Sequence, residues 1–592
     1  MNMKTTSGAK RFLFFALLLI FVGGLFAWWV QTDGGKIKIK DLRFMGADGR
    51  LVSALLYIPP EADGVSPAPG IVATHGYINS RETQDGFAIE FARRGYVVMA
   101  PDQSGHGFTD PPAFAKGFGG LDTLKYFRTL DIVDPKNIGL EGHSMGGWAS
   151  VAAASANPDG YQSMVLASSS TGSFGVADGT PTFPRNLAII FSRYDEFSDL
   201  MWASPIPRDV GKSEKMKNVF GVKEDIEAGK LYGSVEQGTA RKLYTPNMIH
   251  PRVHFSTEGI GAAIEWMQLT LKGGKPIPPA NQVWYWKEGG TFLALIGMIL
   301  LLFPMGSLFL QTRFFYELNE QPLPSKGLQG AGWWVGAFLT ILIPIPLFIF
   351  AIGSHGKGYQ APTAFWPQNV TTTIMYWALF VAVVSLILFL LWHVIINRKT
   401  GATAVNYGLS WKGRGVDLIK IWKSFLLALA VCVCAYLTLA FSDWAFKTDY
   451  RLWVFAIKPM SIFHFRVALC YLIPFIIYFL ILGIVLHGQM RWRGDMGFGR
   501  EAVINLLLLL LPYVICEAVQ YGPLFAGGTL AIPKAALFGI VLFQFFPIFT
   551  IAALVSTYFF RKTGHVYGGA FLNAMLITWI VVAGQATHYN FM

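Results

Sequence analysis

Apolar residues run almost unbroken over positions 12–30, give way to mixed sequence, and return from about residue 291 to the end. The later runs fall near 291–310, 331–352, 371–396, 421–441, 467–487, 502–521, 535–559 and 568–586. Each is about as long as a helix needs to cross a bilayer, so with the first run the pattern predicts nine spans in an all-α bundle. Lys4, Lys10 and Arg11 precede the first run, and Trp28-Trp29 end it in the manner of an interfacial anchor. Its length and the lack of a small-residue cleavage site predict a retained span rather than a removed leader.

Between these runs, residues 33–289 alternate in another way. Apolar stretches of strand length occur at 36–44, 51–58, 70–74, 96–100, 138–140, 164–168 and 187–191. Helical periodicity lies between them at 82–94 and 120–130, small residues suited to a helix follow at 149–156, and an amphipathic helix closes the segment at 258–271. Strands alternating with helices predict a doubly wound, mostly parallel α/β sheet. The expected division is an N-terminal anchor (1–32), an α/β domain (33–289) and a polytopic membrane domain of about eight helices (290–592).

Charge sharpens this division. The chain of 592 residues carries a formal +12, yet residues 31–290 hold 26 Lys+Arg against 28 Asp+Glu. The remainder holds 22 against 8. Basic charge lodged between apolar runs points to membrane topology and away from a nucleic-acid partner. With the N-terminus inside, the inner loops collect Arg313, Lys326, Arg398, Lys399, Lys412, Arg414, Arg491, Arg493, Arg561 and Lys562, and the outer loops hold fewer. The α/β domain is therefore expected outside the cytoplasm, at the cell membrane. All four cysteines lie in the apolar C-terminal runs, so no disulfide is expected in the α/β domain. No metal-ligating spacing or cofactor motif stands out, and none is expected.

The chemistry gathers at Gly142-His143-Ser144-Met145-Gly146, where a short apolar run meets small, helix-forming residues. A serine at such a strand–turn–helix corner is held strained with its hydroxyl exposed, which suits a nucleophile. A serine hydroxyl needs an imidazole to take its proton and an acid to orient that imidazole. Asp195 follows the 187–191 run, with Glu196 as its neighbouring alternative. His254 directly precedes the closing helix and is the expected base, with His250 as the alternative.

With these residues in this order, 33–275 resembles the α/β-hydrolase superfamily, on His75-Gly76, Asp102, Gly105-His106-Gly107, the Ser144 pentapeptide, Asp195 and His254. The resemblance implies an α/β-hydrolase fold, a Ser144–His254–Asp195 triad and an oxyanion hole made by the backbone N–H groups of Tyr77 and Met145. It also implies that His75 and His106 are scaffold residues. The chain departs from the family's pattern at 197–247, a long excursion between acid and base. This insert is a surface excursion, a lid over Ser144 or a dock for the membrane half; as a lid it would turn Trp202 and Phe220 toward the substrate.

The membrane half offers Glu517, Lys423, His393 and His487 as ionisable groups in or near spans, with Glu517 the first candidate for a functional role. The expected function is a serine hydrolase cleaving an ester, thioester or amide through an acyl-serine, on a lipid-like or acylated substrate at the bilayer. An acyltransferase with the same triad, or a transporter or sensor with an inactive hydrolase-like domain, are the alternatives.

Overall fold

The computed structural model describes residues 3–590. Nine strands form one sheet: β1 (Lys38–Met45), β2 (Leu51–Ile58), β3 (Ala68–Thr74), β4 (Val97–Pro101), β5 (Val133–His143), β6 (Ser163–Ala167), β7 (Leu187–Ile190), β8 (Leu231–Tyr232) and β9 (Arg241–Tyr244). Their order is β1-β2-β4-β3-β5-β6-β7-β9-β8. From β4 to β9 all neighbours are parallel; β1, β2 and β8 pair antiparallel at the edges. The parallel strands β3, β4, β6 and β7 are buried along their length and read as short apolar runs, as a sheet covered on both faces requires.

Helices Gly120–Phe127 and Met145–Ala156 cover one face, whose core includes Leu124, Phe127 and Trp148. Helices Asp85–Arg93 and Thr257–Thr270 cover the other, around Phe87, Phe91, Ile260 and Trp266. The expected doubly wound sheet is present. Two strands escape the sequence pattern: β8 and β9 lie within 197–247, and β9 pairs with β7, so part of the apparent insert completes the sheet.

Among the described residues, nine helices are long and apolar enough to cross a membrane: Ser7–Gln31, Trp284–Phe309, Gly330–Gly353, Asn369–Ile395, Leu418–Phe446, Ile462–Gln489, Gly497–Phe525, Pro533–Thr563 and Tyr567–Gly584. They mark a multi-pass membrane protein. The first packs along the second through small residues. A Cβ on Gly290 would stand 2.7 Å from the Gly23 carbonyl oxygen, and one on Gly297 would stand 2.8 Å from that of Ala16. Such close backbone approach is how apolar helices associate where no hydrophobic drive separates helix from lipid. The last helix is enclosed almost completely by the others.

The loops sort to two ends. Segments after the second, fourth, sixth and eighth helices meet one another, as in Ser325 Oγ donating to Arg491 O (2.7 Å), Lys326 Nζ to Gly401 O (2.9 Å) and Val566 N to Gly408 O (3.2 Å). Contacts with the α/β domain come from the opposite end. Thr587 N donates to Gly105 O (2.8 Å), Arg451 to Thr83 Oγ1 (3.1 Å), Trp453 Nε1 to Pro251 O (2.8 Å) and Arg208 to Gly527 O. The hairpin Tyr450–Leu452/Phe455–Ile457 supplies Arg451 and Trp453 and carries no period that marks it in the sequence.

Candidate active site

β5 ends at His143 and a helix begins at Met145, which leaves Ser144 to make the corner alone, at φ 54° and ψ −122°. A non-glycine residue there is strained and needs support from its surroundings. Ser144 N donates to Ala167 O (2.9 Å), and Ser144 O accepts from Gly147 N (3.0 Å) and Ser169 Oγ (2.6 Å). The flanking glycines are a packing necessity. A Cβ on Gly142 would lie 2.3 Å from Gly146 backbone, and one on Gly146 would lie 2.0 Å from Thr74 O.

β7 delivers Asp195 just past its end, as expected. The histidine that meets it is His250, whose Nδ1 lies 3.0 Å from both Asp195 oxygens. His254, expected as the base, makes no such contact: neither of its ring nitrogens has a hydrogen-bond partner. The reason lies in pairing rather than spacing. Tyr194 and Ile249 form a parallel bridge that aligns the chain after β7 with the chain before His250, so His250 falls opposite Asp195. His254 sits one turn later and packs edge-on against His143, ring centroids 4.7 Å apart.

The electrostatics separate the two rings. Burial alone would pull His250 down, but the Asp195 carboxylate and, less, Glu196 outweigh it, and its pKa stands above the ordinary 6.5. Burial, with Arg451 and His250 adding, drives His254 down to about 3, so it stays neutral. Glu196 does not compete for the ring. Its Oε2 accepts from His250 N (2.7 Å) and its Oε1 from the Tyr521 hydroxyl (2.8 Å). Burial, with Asp195 beside it, raises Glu196 to about 7.

Ser144, His250, Tyr77 and Met145 line one cavity of about 290 Å³. Gly76 brings the loop before Tyr77 against the serine, since a Cβ on it would stand 3.1 Å from Ser144 Cβ. His75 and His106 hold that loop as scaffold residues. His75 Nε2 accepts from Gln103 N (3.0 Å) and His106 Nε2 from Ile78 N (3.3 Å). Burial takes His75 down to about 3.

The roof of the cavity is where sequence reasoning fell short. Leu537, Ile540 and Gln544 of the eighth span, Val454 of the hairpin, and His355 and Asn369 face Ser144 across it. Of the insert, only Phe197, Leu200 and Met201 reach the cavity. Trp202 and Phe220, expected to face substrate, are buried in the core of the α/β domain instead; Trp202 Nε1 donates to Ser169 O (3.0 Å). The C-terminal tail adds His588, whose Nε2 lies 2.8 Å from the Tyr77 hydroxyl. Nothing local in the sequence signals these partners, which lie hundreds of positions from Ser144. Lys423 pairs with Glu317 (2.6 Å), His393 with the Tyr407 hydroxyl (2.8 Å) and His487 with Ser556 (2.9 Å), far from this site.

Residues 69–194 match the family model described as alpha/beta hydrolase fold. The chain is similar to a hypothetical protein from Pseudomonas aeruginosa (24% identity over 22% of this chain and 42% of that one, TM-score 0.20), so it spans less than half of that structure's length. It is also similar to an esterase from Pyrococcus furiosus (16% identity, 41% and 96% covered, TM-score 0.28) and to a bacterial heroin esterase (16%, 40% and 86%, TM-score 0.30). A comparison with curated proteins finds no match. Sheet order, elbow and family model together define an α/β-hydrolase domain, here fused to a multi-pass helical domain.

Proposed function

We propose that the protein is a membrane-embedded serine hydrolase acting on an ester, thioester or amide whose acyl part is lipid-like. The observation that carries this is the shared cavity of Ser144 and the Asp195-bound His250, with spans of the membrane domain as its roof. Asp195 holds the Nδ1–H of His250, which leaves Nε2 to act as base. Ser144 Oγ attacks the carbonyl carbon while its proton passes to His250 Nε2. The N–H groups of Tyr77 and Met145 stabilise the oxyanion, and the helix starting at Met145 adds its positive end. Collapse breaks the bond to the leaving group, which takes the proton from His250. Water then attacks the acyl-serine by the same route in reverse and frees the acid.

The substrate class follows from the roof. At 1.5 Å per residue, Ile540 and Gln544 lie about 10 and about 16 Å along their helix from Pro533. The cavity thus extends from the catalytic end into a bilayer-length helix of the membrane domain, and its wall taken as a whole is mostly apolar. A fluorophosphonate probe bearing a long alkyl chain is expected to label the wild type and not Ser144→Ala; undiminished labelling of the alanine variant would remove Ser144 as nucleophile.

The bias of basic residues toward the inner loops supports an extracytoplasmic position for the hydrolase domain. Val65 is 92% exposed on that domain. Val65→Cys should therefore react with an impermeant thiol reagent on intact cells, and reaction only after lysis would reverse the orientation.

A further inference from the structure

Behind the catalytic loop lies a second cavity, of about 400 Å³, that the triad does not use. It is separated from the Ser144 cavity by Ile249–Arg252 on one side and the Trp453-Val454 turn on the other, since these residues divide between the two linings. Five aromatic rings from both domains form its wall in a continuous chain. Tyr194 meets Phe525 edge-on (centroids 5.3 Å), Phe525 meets Tyr521 (5.8 Å), Tyr521 meets Phe543 (5.4 Å) and Phe543 meets Trp453 (5.1 Å). One carboxylate enters this wall, that of Glu517, and both of its oxygens are buried without a hydrogen-bond partner. A carboxyl group hidden from water and unpaired carries a large desolvation cost, which a bound partner would offset. Aromatic rings that share a cavity with a carboxyl group can hold an ammonium group, whose charge would in turn favour the ionised carboxylate.

We infer that this cavity is a binding site for an ammonium-bearing head group, with the cation against Glu517 and the aromatic wall. Arg252, exposed on the hydrolase-side rim, supplies a place for an anionic group next to that cation. The ligand class is therefore a zwitterion of the phosphocholine or phosphoethanolamine type. Depth agrees with a lipid source. Glu517 is eight residues before the end of its helix at Phe525, about 12 Å along the axis, in the half of a bilayer-length span that meets the hydrolase domain. Ser144 takes no part in this site, so it can be tested in a Ser144→Ala background, and its failure would leave the hydrolase reading untouched.

The test uses full-length protein in phosphatidylglycerol nanodiscs, which offer no ammonium group. Choline, phosphocholine and the uncharged choline isostere 3,3-dimethylbutan-1-ol are titrated in turn, with tryptophan fluorescence as readout. Choline should bind saturably and at least tenfold more tightly than the isostere, and phosphocholine more tightly still. Glu517→Gln should weaken choline at least tenfold while its thermal midpoint stays at the wild-type value. Arg252→Gln should remove only the advantage of phosphocholine over choline. Repeating the choline titration in discs containing phosphatidylcholine identifies the source: competition means a lipid head group, and its absence means a soluble zwitterion. Equal binding of choline and its isostere, an unaffected or unfolded Glu517→Gln with Trp453→Ala also without effect on choline, or no saturable binding of choline in the phosphatidylglycerol discs would each overturn the assignment.

Discussion

His250→Gln is expected to lower kcat by about four orders of magnitude, and His254→Gln by no more than about threefold. The two residues are four apart on one short 3₁₀ helix, and their environments differ in kind. His250 has an acid on Nδ1, so its imidazolium is stabilised once it takes the serine proton. His254 has no acid and is held neutral by burial far below its ordinary range, so it cannot keep a proton at neutral pH. The pH profile gives a second reading of the same pair. The base must be neutral to accept a proton, and Asp195 keeps His250 protonated to a higher pH than a free histidine. Activity should fall as pH drops through a value above 6.5, and Glu196→Gln, by removing a nearby negative charge, should move that limb downward while leaving the alkaline plateau nearly intact. A His254 variant with the larger loss, or an acid limb below 6.5, would reverse the assignment of the base.

The second large effect concerns the joint between the domains. Lys287, in the first turn of the second span, places Nζ 2.5 Å from Asp85 Oδ2, and both side chains are almost fully enclosed. Asp85 also accepts from the Tyr57 hydroxyl (2.7 Å). Asp85→Asn removes the anion and keeps the volume. The buried ammonium then retains only Glu288, at 3.5 Å. Removing one partner of a buried pair costs on the order of 3–5 kcal/mol, mostly through the charge left behind. In purified protein this should appear as a thermal midpoint several degrees lower. Asp85→Leu with Lys287→Met should recover part of the loss, because the pair is removed as a unit, while Glu288 gives up its 3.5 Å contact and the Tyr57 hydroxyl its acceptor. If the single variant is as stable as the wild type, or the double variant no better than the single, the pair does not hold the domains together.

The chain by itself determined whatever depends on local pattern. The strand runs from β2 to β7, the elbow at Ser144, the acid after β7 and the nine apolar helices were all legible, because each is written in consecutive residues or in a short period. What depends on pairing across distance was not. β9 has four residues and no readable alternation, and only its ladders to β7 and β8 make it a strand. His250 and His254 both precede the closing helix, and the local signal favoured His254, which directly adjoins it; the bridge between Tyr194 and Ile249 put His250 opposite Asp195 instead. Trp202 and Phe220 looked free to line a lid, but the core had room for them, and burying large apolar surface outweighs exposing it at a rim. The cavity roof, the Tyr521–Glu196 contact and the aromatic wall around Glu517 join residues hundreds of positions apart. Such contacts leave no period in either segment, and only the docking of the sheet onto one end of the helical bundle brings them together.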